Sequence, residues 1–167
     1  MPYWILVFSQ KSLGNWEPTG LLDAIKGANF SMLCDQYGLD PILIPFNSAQ
    51  LDVLLGGGHY APFFVVRYAA KERRPLVIHC WETQEEEGFR LLQRALVTSP
   101  EHVNVRLRET HTILTIELSR SQLTDLGLPI AYEVGRWALE QGGGLLQGLD
   151  GVWYYLNQHA AFIPVDV

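Results

Sequence analysis

Residues 129–156 read PIAYEVGRWALEQGGGLLQGLDGVWYYL, and this stretch decides the class of fold. Pro129 suits the first turn of a helix, where its missing N–H removes no hydrogen bond. Ile130, Val134, Trp137 and Ala138 recur at helical spacing and make one apolar stripe. Opposite the stripe, Glu133, Arg136 and Glu140 form a polar face, with Arg136 and Glu140 four residues apart. Gly142-Gly143-Gly144 stops the helix. Leu145-Leu146-Gln147 and Val152 to Leu156 then flank Gly148-Leu149-Asp150-Gly151, a turn sequence between two strands. A helix leading directly into a hairpin predicts a sheet that is at least partly antiparallel.

Working outward, Val103 to Leu118 reads as one long strand whose alternation changes phase. Val103, Val105 and Leu107 fall on odd positions, Leu114, Ile116 and Leu118 on even ones, so a bulge or turn is expected within 109–112. Before it, Thr83 and Glu86 have capping-box spacing ahead of Phe89, Leu92 and Leu96, which predicts a helix. Phe63 to Tyr68 and Pro75 to Trp81 are strand-like runs joined by a charged connection, a hairpin. Ser48 is placed to cap a short helix with Leu51, Leu54 and Leu55 inward, ended by Gly56-Gly57-Gly58. Ile42-Leu43-Ile44, between Pro41 and Pro45, reads as a strand. At the N-terminus, Trp4 to Phe8 is a strand. A helix from Thr19 puts Leu21, Ile25, Ala28 and Met32 on one face, with Gly38 as a left-handed C-cap. The sum is a single α+β domain over residues 1–167, its sheet mixed or mostly antiparallel with helices packed on one face. A ferredoxin-like sandwich with additions is the nearest simple architecture.

The composition supports a filled core. Of 167 residues, 48% are apolar and 18% charged, with five Trp, seven Tyr and seven Phe, which argues against disorder. A net charge of -6 argues against nucleic-acid binding, which needs a basic face. Nine of the twelve Lys and Arg lie in residues 67–120, so both outer segments are acidic. Brought together, they would suit a basic protein partner, or simply solubility. Cys34 and Cys80 read as reduced, buried thiols. The N-terminal apolar run is too short for a signal peptide or a membrane span, and the expected compartment is a bacterial cytoplasm.

Reaction motifs are scarce. Gly56-Gly57-Gly58-His59-Tyr60-Ala61 formally matches a dinucleotide loop, but a predicted helix precedes it and a strand follows. No cofactor is expected. In His79-Cys80-Trp81-Glu82, strand alternation turns His79 and Trp81 to one face and Cys80 and Glu82 to the other. Adjacent histidine and thiol therefore cannot act as base and nucleophile together. The five histidines have no metal-ligand spacing, and no metal site is expected. Glu85-Glu86-Glu87 complements a helix dipole. Arg106 and Arg108, on the outer side of a strand near Arg67, read either as edge protection or as a small anion patch. Trp153-Tyr154-Tyr155 alternates aromatics across both faces of its strand, which leaves a ring available to a partner.

A resemblance rests on Ala131-Tyr132-Glu133-Val134-Gly135-Arg136, Gly143-Gly144-Leu145-Leu146-Gln147 and Gly151-Val152-Trp153-Tyr154. Residues 129–156 resemble poorly characterised small bacterial α+β proteins, some of immunity-protein type, in which an AYE–AR helix precedes a Gly-Gly turn and an aromatic strand. Gly135 stands where that pattern has Ala. The resemblance implies a small α+β binding protein and carries over no catalytic residue.

The expectation is therefore a non-enzymatic protein-binding domain, immunity-like or regulatory, using Glu133, Arg136, Trp153, Tyr154 and Tyr155. The alternative is a small-molecule or anion-binding enzyme with a pocket near Gly56–Gly58, built from His59, Arg67, His79 and Trp81. A homodimer through an edge strand or the C-terminal hairpin is a third reading.

Overall fold

The structure is a computed structural model and describes residues 2–12, 18–29, 32, 35–39, 51–56, 63–68 and 74–165. Its frame is one eight-stranded sheet in which every neighbouring pair is antiparallel. The strands are β1 (Tyr3–Ser9), β2 (Asp52–Gly56), β3 (Phe63–Arg67), β4 (Leu76–Glu82), β5 (Thr112–Leu118), β6 (Leu145–Gln147), β7 (Trp153–Leu156) and β8 (Phe162–Pro164). Their spatial order is β2-β3-β4-β5-β1-β6-β7-β8. The α-helices whose bounds lie among the described residues are α1 (Pro18–Lys26), α2 (Glu86–Thr98), α3 (Glu101–Leu107) and α4 (Gly127–Gly142), with a 3-10 turn at Arg120–Thr124. The α+β class and the antiparallel sheet are as the sequence predicts.

Strand alternation sorts the core into two layers. Ile5 and Val7 of β1, Leu114, Ile116 and Leu118 of β5, and Leu146 of β6 join the main cluster under α1 and α4. Their neighbours Phe8, Ile113 and Leu145 face the other way and meet Leu92, Ala95, Val103 and Leu107 of α2 and α3. The expected helical layer on one face is present. A second, formed by α2 and α3, lies on the opposite face. The end of β1 at Val7 and Phe8 is consequently covered on both sides, and Ile5, Val7 and Phe8 are fully buried.

The hairpins at 63–82 and 145–156 form as predicted, and so does the stripe of α4: Ile130, Val134, Trp137 and Ala138 are all buried. Just beyond α4 and its C-cap Gly143, Gly144 has a φ of 101°, and a Cβ there would stand 1.9 Å from the Phe8 carbonyl oxygen. That close approach lets the chain turn straight from α4 into β6 beside β1.

Several expectations are corrected. Residues 52–56 form a strand paired with β3, not a helix; a one-turn helix has little stability of its own, whereas β3 offers a free edge. Residues 103–107 belong to helix α3. Val103 and Leu107 are four apart and both turn inward, while Val105 is exposed, so a helical pair had mimicked alternation. Thr83 does not cap α2: its hydroxyl donates to the carbonyls of Thr110 and His111, and the helix begins only at Glu86. Phe89 and Met32, expected inward, are exposed, and α1 ends at Lys26. Gly38 does adopt a left-handed φ of 67°. The strand expected at 42–44, Ser48, Cys34 and residues 57–61 lie outside the described residues. Among the described residues, no helix is long and apolar enough to cross a membrane.

Candidate functional site

A short side chain between large ones opens a concavity. On the α2 side of the sheet, Thr115 of β5 lies in register between His79 of β4 and Leu6 of β1. Its neighbours His79 and Trp81 stack with ring centroids 5.6 Å apart and planes at 19°, and Phe63 continues the aromatic row at 5.8 Å from His79. Across the hollow stands Trp4, 41% exposed. The result is a cleft of about 420 Å³ whose sheet side is Trp4, Leu6, His79, Trp81, Thr115 and Gln147. Its helical side is one face of α2: Glu87, Leu91, Arg94, Ala95 and Thr98, at spacings of four, three, one and three.

The polar groups of this cleft are few and mostly fixed. Trp81 donates its indole N–H to the Thr115 hydroxyl oxygen at 3.2 Å. Glu87 is paired with Arg90 at 3.1 Å, and the Thr98 hydroxyl donates to the Arg94 carbonyl at 3.0 Å. Gln147 donates to the Gly151 carbonyl at 3.4 Å.

On the opposite face, Cys80 packs against the main core. Burial, with a smaller contribution from Glu82, pushes its thiol up to about 12, so it is protonated near neutrality. The predicted separation of His79 from Cys80 is therefore present. Among the described residues, no group of three or more His, Cys, Asp or Glu could hold a metal ion.

Of the alternative pocket predicted from sequence, His79 and Trp81 come together in the cleft. Arg67 is not among its lining residues, and His59 lies outside the described residues. The anion patch of Arg67, Arg106 and Arg108 does not form as a strand face, because α3 is helical. Arg106 instead lies 5.0 Å over the Tyr155 ring, and Arg108 pairs with Glu101 at 3.0 Å.

The five residues assigned to partner binding divide between the two faces. Trp153 is buried against Phe8, 5.2 Å between rings, and Tyr155 lies under Arg106 on that same side. Glu133, Arg136 and Tyr154 lie on the α4 side. Glu133 is no solvated residue of a polar face but 6% exposed, paired with Arg136 at 3.1 Å. Burial raises its carboxyl pKa, and Arg136 offsets this only in part. The Arg136 guanidinium also lies 5.4 Å over Phe162. Nearby, Tyr37 and Tyr132 stack at 5.1 Å, and Tyr154 donates to Asp150 at 2.6 Å, which holds its hydroxyl proton up to about 12. These rings line a second hollow of about 350 Å³.

Trp4, Thr115 and Arg94 were missed by sequence reasoning. The short Thr115 among bulky strand residues was the available signal, but its meaning depends on strand order. No family model, curated protein or solved structure matches the chain.

Proposed function

We propose that the chain is a non-enzymatic protein-binding domain of immunity-like or regulatory type, working in the cytoplasm. Its contact surface is the part of the sheet beyond α2. The supporting observation is a cross-strand row on the α2 side: Leu54, Val65, Val77, Glu117 and Trp4, in register from β2 to β1. Leu54 and Trp4 are 38% and 41% exposed, and the two valines are only partly covered. Apolar side chains aligned on a rigid sheet suit a partner presenting an apolar patch. Glu117, the carboxylate among them, is paired with Arg74, so the row itself is close to neutral; the net charge of -6 favours a basic partner through the field of the whole chain.

The test uses Leu54→Lys and Val65→Lys, neither of which lines the cleft. A partner recovered by the wild-type chain is purified and titrated against all three proteins. The reading expects a one-to-one complex weakened at least about tenfold by each lysine. Equal affinity for the three proteins contradicts it. Light scattering on the free chain would reveal a homodimer through the same face, which would replace a foreign partner.

The second reading, a small-molecule or anion site, is favoured by a separate observation: His79 and Trp81 do meet in a concave cleft.

A further inference from the structure

We propose that the cleft between α2 and the sheet binds a small planar aromatic carboxylate, with its ring among Trp4, His79 and Trp81 and its carboxylate on Arg94. The site shares Trp4 with the partner surface proposed above, but the substitutions that test each lie outside the other, so either can fail alone.

Shape comes first. The hollow measures about 420 Å³, within the ~300–1,000 Å³ common for small-molecule sites. The short Thr115 leaves room in it, and three rings, Trp4, His79 and Trp81, line it beside the aliphatic Leu6, Leu91 and Ala95. His79 and Trp81 stack on each other at 19°, which holds both rings in a fixed orientation at the cleft. The indole N–H of Trp81 is bound to Thr115, which fixes the ring's orientation. A preset aromatic surface favours a flat aromatic guest, because stacking then costs little side-chain ordering.

Charge selects the rest of the ligand. Two charged groups of α2 border the cleft, Glu87 and Arg94. Glu87 is paired with Arg90 at 3.1 Å, a guanidinium that also holds Glu86 at 3.0 Å. Arg94 has no carboxylate partner among the described residues, and its guanidinium offers paired N–H donors that match a carboxylate. Thr115 adds a donor: its oxygen accepts from Trp81, and its own proton has no acceptor among the described residues. The cleft therefore combines aromatic rings with donors and one guanidinium that no carboxylate of the described residues pairs, the complement of an aromatic acid.

The experiment compares naphthalene-2-carboxylate with the uncharged 2-naphthylmethanol, by calorimetric titration of the full chain at pH 7.5 and low salt. The carboxylate is expected to bind one-to-one and at least about tenfold more tightly than the alcohol. Arg94→Gln should bring the two ligands to similar affinity by weakening the acid; the residue is exposed, so the fold tolerates the change. Leu91→Trp, which fills the cleft, should abolish both. Equal binding of acid and alcohol by the wild type overturns the proposal. So does absence of binding at 1 mM, or an acid preference that survives Arg94→Gln. None of these outcomes bears on the titrations of Leu54→Lys and Val65→Lys.

Discussion

At the scale of single residues, burial rather than catalysis explains the unusual side chains. The Cys80 thiol packs in the core with its proton held up to about 12. In a Cys34→Ser background, native Cys80 should react with iodoacetamide at pH 8 about a thousandfold more slowly than in urea. Labelling at the denatured rate would show an accessible thiolate instead. Glu133 carries a raised carboxyl pKa because burial outweighs Arg136. An acid whose folded pKa is raised contributes stability below the ordinary carboxylate range and loses it as pH rises through the raised value. Wild type should therefore lose Tm relative to Glu133→Gln between pH 4 and pH 7.5. A constant difference, or a gain for wild type, would contradict that balance. Gly135 faces Leu146: a Cβ there would meet the leucine methyl at 2.4 Å.

At the scale of elements, helix α3 separates what periodicity reveals from what it conceals. Val103 and Leu107 are buried and Val105 is exposed, so Leu107→Ala should cost about 2–5 kcal/mol and Val105→Ala less than about 0.5 kcal/mol. Urea denaturation checks this; comparable losses at 105 and 107 would restore a strand. The same positions show why the sequence misled. Three apolar residues at alternate positions fit a strand, yet two of them, four apart, fit one helical face equally well. Pro100 ahead of them, at the helix N-cap, settles the choice through backbone geometry. Residues 52–56 reversed the error, becoming a strand because β3 supplies an edge. Long elements with many periodic positions, such as α4 and the 63–82 hairpin, were legible because no competing pattern fitted them. Gly144 could be read as a stop signal, but not the contact with Phe8 that requires it; Gly144→Ala should cost at least about 2 kcal/mol.

At the scale of the whole molecule, the sheet order decides where recognition can occur. β1 pairs with β5 and β6, strands more than a hundred residues away, and these pairings bring Trp4 to the cleft that holds His79 and Trp81. No local pattern carries that information, which is why the sequence pointed to the aromatic C-terminal hairpin instead. There, Trp153 is committed to the core against Phe8, and Tyr154 is bound to Asp150. Four of the five tryptophans lie among the described residues: Trp4 and Trp81 border the cleft, whereas Trp137 and Trp153 are buried elsewhere. Their indole N–H resonances, followed by nitrogen-15 NMR while naphthalene-2-carboxylate is added, locate binding directly. The prediction is that Trp4 and Trp81 shift together while Trp137 and Trp153 hold still; movement of Trp153 with Trp4 and Trp81 unchanged would contradict it.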